Sequence, residues 1–206
     1  MKSEENAYFI KRLGALILDM IIVSIVVSML TFFVNNNSNY EKLTKEYNDV
    51  MEQAMDKKTS PKEYKKLLSK ASDISYDLSK QTVVVSFVSL TMYILYFIVF
   101  QFYNKGQTIG KKLMKIKIES NYGKDLTMNQ LAVRSLIINS ILANLILLAV
   151  IILGSKDVYF VSSMTVSMIQ YIIIFTTAIM ILFRKDKRGL HDVITNTKVI
   201  NEKIEV

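Results

Sequence analysis

The sequence contains four long apolar segments, separated by segments rich in charge. They limit the folds that this chain can adopt more than any other feature of its sequence. They run from about Leu13 to Val34, Val83 to Tyr103, Leu131 to Leu153 and Val158 to Phe183. Each contains about 20 to 26 residues, enough for a helix to cross the hydrocarbon core of a bilayer with some tilt. The pattern predicts an all-α membrane protein, a bundle of four transmembrane helices.

The first apolar segment differs from a cleavable signal peptide. It is longer than the apolar core of such a peptide, it contains Asp19, and no small-residue cleavage site follows it. We therefore expect it to remain in the mature protein as the first transmembrane helix.

The composition limits the kinds of partner and site that the chain can have. Its net charge is +8, but the lysines and arginines stand beside the apolar segments and no nucleic-acid-binding motif accompanies them. This placement favours contact with the bilayer, including anionic lipid at the cytoplasmic face, over nucleic acid. With no cysteine and one histidine, we expect no metal site and no cofactor.

The lysines and arginines near the segment ends predict the orientation. They precede the first segment, follow the second and follow the fourth, and cytoplasmic connections are enriched in these residues. We therefore expect a multi-pass protein of the cytoplasmic membrane with both chain ends in the cytoplasm. The connection 104–127 and the C-terminal tail 184–206 would lie on the same side.

Residues 35–80 form a separate unit between the first span, residues 1–34, and the remaining three spans, residues 81–206. Apolar residues recur there at helical spacing, and Ser60, Pro61 and Glu63 have the pattern of a helix start. We predict an extracytoplasmic helical hairpin. Two interpretations remain open, namely a solvated spacer and a surface that binds a protein partner.

A small cytoplasmic β-element is predicted on the opposite side of the membrane. The segment 114–119 alternates apolar and charged residues with the period of a strand, and the segment 197–200 can pair with it.

Four charged residues are predicted to converge near the inner leaflet. Arg12 and Asp19 share a face of the first helix, Arg134 begins the third, and Asp192 follows the fourth. A carboxylate in hydrocarbon is costly, so we expect Asp19 to face the interior with Arg134 as its partner, and Arg12 to meet Asp192 or a lipid phosphate. The cluster is either an ion, proton or headgroup site, or a structural device for helix packing.

The segment Gly106-Gln107-Thr108-Ile109-Gly110-Lys111-Lys112 resembles a nucleotide-binding loop but lacks its spacing. We interpret it as a tight turn that brings backbone and lysines to the membrane surface. The single His191 has no second imidazole or thiolate with which to hold a metal, which leaves a pH-sensitive contact with Asp192 as its functional interpretation.

Taken together, these motifs resemble the RDD family of bacterial membrane proteins. The segment 11–19 resembles its opening motif, 106–113 its Gly-x-Thr-x-Gly-Lys segment and 188–192 its closing motif, and Arg134 stands where members often carry an arginine. The long insertion 35–80 departs from the usual short first loop. The resemblance implies a place in the bacterial plasma membrane, transport as the activity, and Arg12, Asp19 and Asp192 as site residues.

Membrane transport, most concretely exchange of a monovalent cation for protons by a homo-oligomer, is therefore the leading hypothesis. No glycine or proline interrupts the centre of a span, which counts against a transporter built from broken helices. The alternative is a non-transporting accessory or assembly protein that meets a partner through 35–80. An enzyme is not expected, because no nucleophile and base can be paired from the sequence.

Overall fold

The computed structural model describes residues 6–32, 38–56, 59–121, 123 and 125–202. The helices of these segments are α1 (Phe9–Thr31), α2 (Ser38–Met55), α3 (Pro61–Gln81), α4 (Val83–Ile94), α5 (Gln101–Tyr103), α6 (Ile109–Leu113), α7 (Met128–Ile138), α8 (Ile141–Leu153), α9 (Lys156–Phe183) and α10 (Leu190–Ile194). A π-helical segment, Leu95–Phe100, joins α4 to α5, and the strands are β1 (Ile116–Ser120) and β2 (Thr197–Asn201).

Three uninterrupted helical segments are long and apolar enough to cross a membrane. They are α1, the continuous run Val83–Tyr103, and α9. The fourth predicted span is a pair of helices, α7 and α8, bent by 66° at the break between them. Over the described residues the protein is therefore mainly helical with three candidate spans, or four if the bent pair counts as one. The predicted end of the first span at Val34 lies outside the described residues.

The bend between α7 and α8 has a local cause in the backbone. Asn139 is the C-cap of α7, and Ser140 adopts a left-handed conformation with φ of 56°. A non-glycine residue in this region interrupts the helical hydrogen bonds, although neither glycine nor proline is present. The segment Leu131 to Leu153, predicted as one helix, is therefore two helices joined at an angle.

The unit formed by α2 and α3 has a small core of its own. Val50, Ala71 and Ile74 are buried between the two helices. The predicted start of α3 is confirmed, because the Ser60 hydroxyl accepts a hydrogen bond from the Glu63 N–H at 3.3 Å and Pro61 is the first helical residue. α3 then packs against α9, where the hydroxyls of Ser79 and Tyr159 lie 2.6 Å apart.

The predicted β-element is confirmed. β1 and β2 pair antiparallel, with Ile118 opposite Val199. Ile116, Ile118 and Val199 form a buried cluster with Ala15 of α1 and Leu131 of α7. The sheet therefore holds one end of α1 and the start of α7 together, which brings the charged residues of these helices near the closing segment.

Candidate functional site

Asp19 is completely buried and surrounded by hydrogen-bond donors. Its Oδ1 accepts bonds from the Tyr96 hydroxyl and the Gly110 N–H, both at 2.7 Å, and its Oδ2 accepts a bond from the Thr108 hydroxyl at 2.6 Å. These three short hydrogen bonds satisfy both oxygens of the buried carboxyl group. The prediction that Asp19 faces the interior is confirmed.

The short helix α6 reaches Asp19 because of two residues near its start. Thr108 is the N-cap and accepts a hydrogen bond from the Lys111 N–H. Gly110 lies so close to α1 that a Cβ atom there would overlap the Ala15 carbonyl oxygen and come within 2.6 Å of Asp19 Oδ1. A residue without a side chain is needed for this approach.

Tyr96 reaches the same carboxylate from the π-helical segment of the second span. A π-helical turn changes the direction of the side chains that follow it, and such turns are frequent at functional sites. Here Tyr96 and Phe97 are buried against Val23 of α1, and the Phe97 carbonyl accepts a hydrogen bond from the Ser135 hydroxyl at 3.1 Å. Tyr96 was not predicted as a site residue, because hydroxyl side chains along an apolar helix are usually explained by helix packing.

Lys111 supplies the positive charge nearest to Asp19. Its Nζ lies 3.7 Å from Asp19 Oδ2 and donates a hydrogen bond to the Thr108 hydroxyl at 3.2 Å. The side chain is largely buried, and burial lowers the pKa of Lys111 to about 8, although the negative charge of Asp19 acts in the opposite direction. Lys111 therefore loses its proton far more readily than a surface lysine.

Asp192 is the centre of a second buried charge group. It forms ion pairs with Arg134 and with Arg12, the latter at 2.7 Å, and accepts a hydrogen bond from the Gly189 N–H at 3.0 Å. Burial would raise the pKa of Asp192, but the positive charges led by Arg134 hold it below its usual range. This carboxylate is therefore ionised at neutral pH.

Of the contacts predicted among the four charged residues, the one between Arg12 and Asp192 is present and the one between Arg134 and Asp19 is not. Arg12 meets Asp192, as expected. Arg134 also pairs with Asp192 and donates to the Thr197 hydroxyl at 2.9 Å, so its assignment as the partner of Asp19 was wrong. The physical reason is that Lys111, interpreted from the sequence as a membrane-surface lysine, is turned inward to Asp19.

His191 lies beside this second group, with its Nε2 3.6 Å from Asp192 Oδ1. Burial, followed by the positive charge of Arg134, lowers the pKa of His191 to about 3. The imidazole is therefore neutral at physiological pH, which does not favour the interpretation of His191 as a pH-sensitive contact with Asp192.

Two cavities lie on either side of Asp19. The basic cavity, of about 180 Å³, has among its lining residues the three cations Arg12, Lys111 and Arg134. The hydroxyl cavity, of about 420 Å³, is lined by apolar residues together with serines, Tyr93 and Asn144.

The positions of these cavities along α1 place Asp19 midway between them. Ala15 lines the basic cavity and Val23 lines the hydroxyl cavity, each four residues from Asp19 and about 6 Å along the helix axis. Val23, Tyr96 and Phe97 pack as one cluster at this level. The buried carboxylate and this cluster therefore lie in one layer along α1, between the levels of the two cavities.

The comparisons with known proteins give one informative result. The model of the RDD family matches residues 7–196, which includes both buried charge groups and residues 35–80. No curated protein and no solved structure matches the chain.

Proposed function

The chain belongs to the RDD family, and from this premise we propose that it is a membrane transporter that exchanges a monovalent cation for a proton at Asp19 and Lys111. The observation that carries the proposal is the position of Asp19 in the layer between two cavities, with Lys111 beside it in the wall of the basic one. A transported ion must leave one aqueous space, bind transiently, and enter another. A buried ionisable residue between two such spaces has the position required for that step.

The chemistry of the exchange follows from the atoms that the Lys111 ammonium touches. These are the carboxylate oxygen of Asp19 and the hydroxyl oxygen of Thr108. Hard cations take oxygen ligands, so an alkali cation could replace the ammonium on the same two atoms. Lys111 would then release one proton and become a neutral amine. One positive charge leaves the site as another enters it, so the buried charge does not change.

The exchange is tested with purified protein in liposomes that carry a proton gradient. Addition of Na⁺, K⁺ or Li⁺ should collapse the gradient, and both Asp19→Asn and Lys111→Gln should abolish this response. Because deprotonation of Lys111 is required and burial lowers its pKa to about 8, the rate should rise as the pH increases through that value. Fluorescence of an entrapped pH dye measures both effects.

The matched control is Asp186→Asn, which removes a partly exposed carboxylate that pairs with Arg184 and makes no ion pair with Arg12, Lys111 or Arg134. It should retain the wild-type rate. Wild-type liposomes that behave like protein-free ones with all three cations would end the exchange proposal.

We propose a topology with four spans, in which α7 and α8 together make the third. Both chain ends, the segment 104–127, the β-element and the tail 184–206 would be cytoplasmic, in the plasma membrane of a bacterium. The α2–α3 hairpin would be extracytoplasmic. The distribution of lysine and arginine supports this arrangement, and three or four spans are few for one transporter, which favours a homo-oligomer.

Cysteine labelling tests the topology, because the natural chain contains no cysteine. A cysteine at Lys66, on the exposed surface of α3, should react with a membrane-impermeant maleimide in intact cells. Cysteines at Lys112 and Lys185 should react only after permeabilisation. Labelling at Lys185 without permeabilisation would contradict a cytoplasmic C-terminus.

A second candidate function is favoured by the hairpin itself. α2 and α3 bury their own core, and Tyr76 of α3 donates a hydrogen bond to the Gly154 carbonyl at 3.2 Å, which ties the hairpin to the spans. A folded, anchored unit of this kind suits an accessory or assembly protein that binds a partner outside the membrane. Retention of exchange in a variant lacking residues 38–79 would separate the two functions. We expect no enzymatic activity in either case.

A further inference from the structure

Two buried polar atoms in the wall of the basic cavity lack a protein hydrogen-bond partner. They are Thr177 Oγ1 and His191 Nδ1, and within the described part of the chain no donor or acceptor reaches either atom. Thr177 is 4% exposed and His191 is 3% exposed, and both line the cavity. A buried polar atom without a partner costs free energy, so these two atoms indicate a ligand with polar atoms of its own.

The charge of the cavity wall indicates whether the ligand is an anion or a cation. Arg12, Lys111 and Arg134 are lining residues, whereas neither Asp19 nor Asp192 is among the described residues that line the cavity. Three cations against two carboxylates leave one net positive charge, and the carboxylates stand behind the cations. The wall therefore favours an anion.

The arginines retain donors for such an anion. Arg134 uses its Nη1 for both Asp192 and Thr197. Arg12 uses its Nη1 for Asp192, its Nε for the Ala7 carbonyl and its Nη2 for the Val199 carbonyl, which leaves one N–H on each Nη. A guanidinium has five N–H donors in a planar fork that matches carboxylate and phosphate groups. Both side chains can therefore hold Asp192 and a second oxyanion together.

The rest of the cavity wall is mainly apolar, with Gln101, Ser135 and Asn139 as further polar residues, and it reaches the outer surface of the spans. Leu13 of α1 and Ile174 of α9 both line the cavity, and they are 42% and 41% exposed on an apolar surface. Ala178 lies in the wall one turn from Ile174. A ligand with an anionic end and apolar chains could thus place the anion inside and the chains outside.

We propose that the basic cavity binds the phosphate group of an anionic phospholipid, with the acyl chains lying along the apolar surface of α1 and α9. Thr177 and His191 would donate hydrogen bonds to the phosphate oxygens, and Arg12 and Arg134 would supply the charge. The neutral state of His191 is compatible with this role, because one nitrogen of a neutral imidazole carries a proton. The proposal does not rest on cation exchange. A phosphate bound in the basic cavity would also offset part of the positive charge next to Asp19.

The test uses the purified full-length protein in a neutral detergent, with native mass spectrometry and thermal unfolding as measurements. Phosphatidylglycerol should remain bound and should raise the unfolding temperature, whereas phosphatidylcholine should do neither. Ala178→Phe, which fills the cavity without altering a charge, and Thr177→Val, which removes one donor at constant volume, should each weaken phosphatidylglycerol binding. The loss for Thr177→Val should be about tenfold, as expected for a hydrogen bond to a charged group.

Ile179→Phe is the matched control, since Ile179 is 41% exposed on the same helix and is not a described lining residue of the cavity. It should bind phosphatidylglycerol like the wild type. Inorganic phosphate is added in a separate arm. Stabilisation by inorganic phosphate alone would assign the site to a soluble anion and overturn the phospholipid proposal. Equal binding of the two lipids, or full binding by both cavity variants, would overturn it as well.

Discussion

Asp192→Asn is expected to lower the free energy of unfolding by about 3–5 kcal/mol, the usual effect of removing one partner from a buried ion pair. The effect should lie at the upper end, because Asp192 pairs with two arginines. Arg134 is buried and Arg12 is largely buried, and both would lose the negative charge that they share. Thermal unfolding of purified protein in detergent measures the change.

Asp186→Asn provides the control for this prediction. It breaks an ion pair of 2.7 Å with Arg184 whose side chains are 43% and 39% exposed. Exposed pairs contribute little, so its unfolding temperature should stay close to that of the wild type. Equal losses for Asp192→Asn and Asp186→Asn would show that the buried group does not hold the helices together.

The pH dependence of stability gives an independent measurement of the same group. The pKa of Asp192 is lowered relative to the usual value of 3.8, so its contribution is complete above that value. The contribution is lost as the pH falls from about 4 towards the native pKa, because the proton then binds the unfolded chain more tightly than the folded one. The wild type should lose stability over that interval, and Asp192→Asn should lose less.

The elements of this fold were predictable to the extent that local pattern determines them. The apolar segments, the cap at Ser60 and the alternation in β1 depend on residues close in sequence, and the structure agrees with them. The bend at Ser140 was not predictable, because a left-handed serine has no strong sequence signal.

The partners of the buried charges depend on long-range packing, which explains why only part of the site was predicted. Arg12 was expected to meet Asp192 or a lipid phosphate, and the structure shows the contact with Asp192. Asp19 was assigned to Arg134 because the sequence shows several lysines after the second span and does not show which of them turns inward. The signal that could have identified Lys111 was the combination of Thr108 as an N-cap with Gly110, since together they allow α6 to approach α1 closely.

Gly110→Ala is expected to have the second large effect, a loss of about 2–4 kcal/mol in the free energy of unfolding. The added Cβ would overlap the Ala15 carbonyl oxygen and lie 2.6 Å from Asp19 Oδ1. α6 would have to move away from α1, and Asp19 would then lose the hydrogen bonds from the Gly110 N–H and the Thr108 hydroxyl. Thermal unfolding in detergent measures the loss, and liposome assays should show no cation-dependent response.

Gly14→Ala is the matched substitution on the other side of the same interface. Its added Cβ would meet the terminal methyl of Met114 at 2.8 Å, and a flexible methionine end can rotate away. Alanine is also favoured over glycine within a helix by about 1 kcal/mol, so this variant should be as stable as the wild type. The two substitutions add the same methyl group, one against a backbone carbonyl and a buried carboxylate, the other against a mobile side chain. If they lowered stability equally, the close approach of α6 to Asp19 would not be what holds this carboxylate in place.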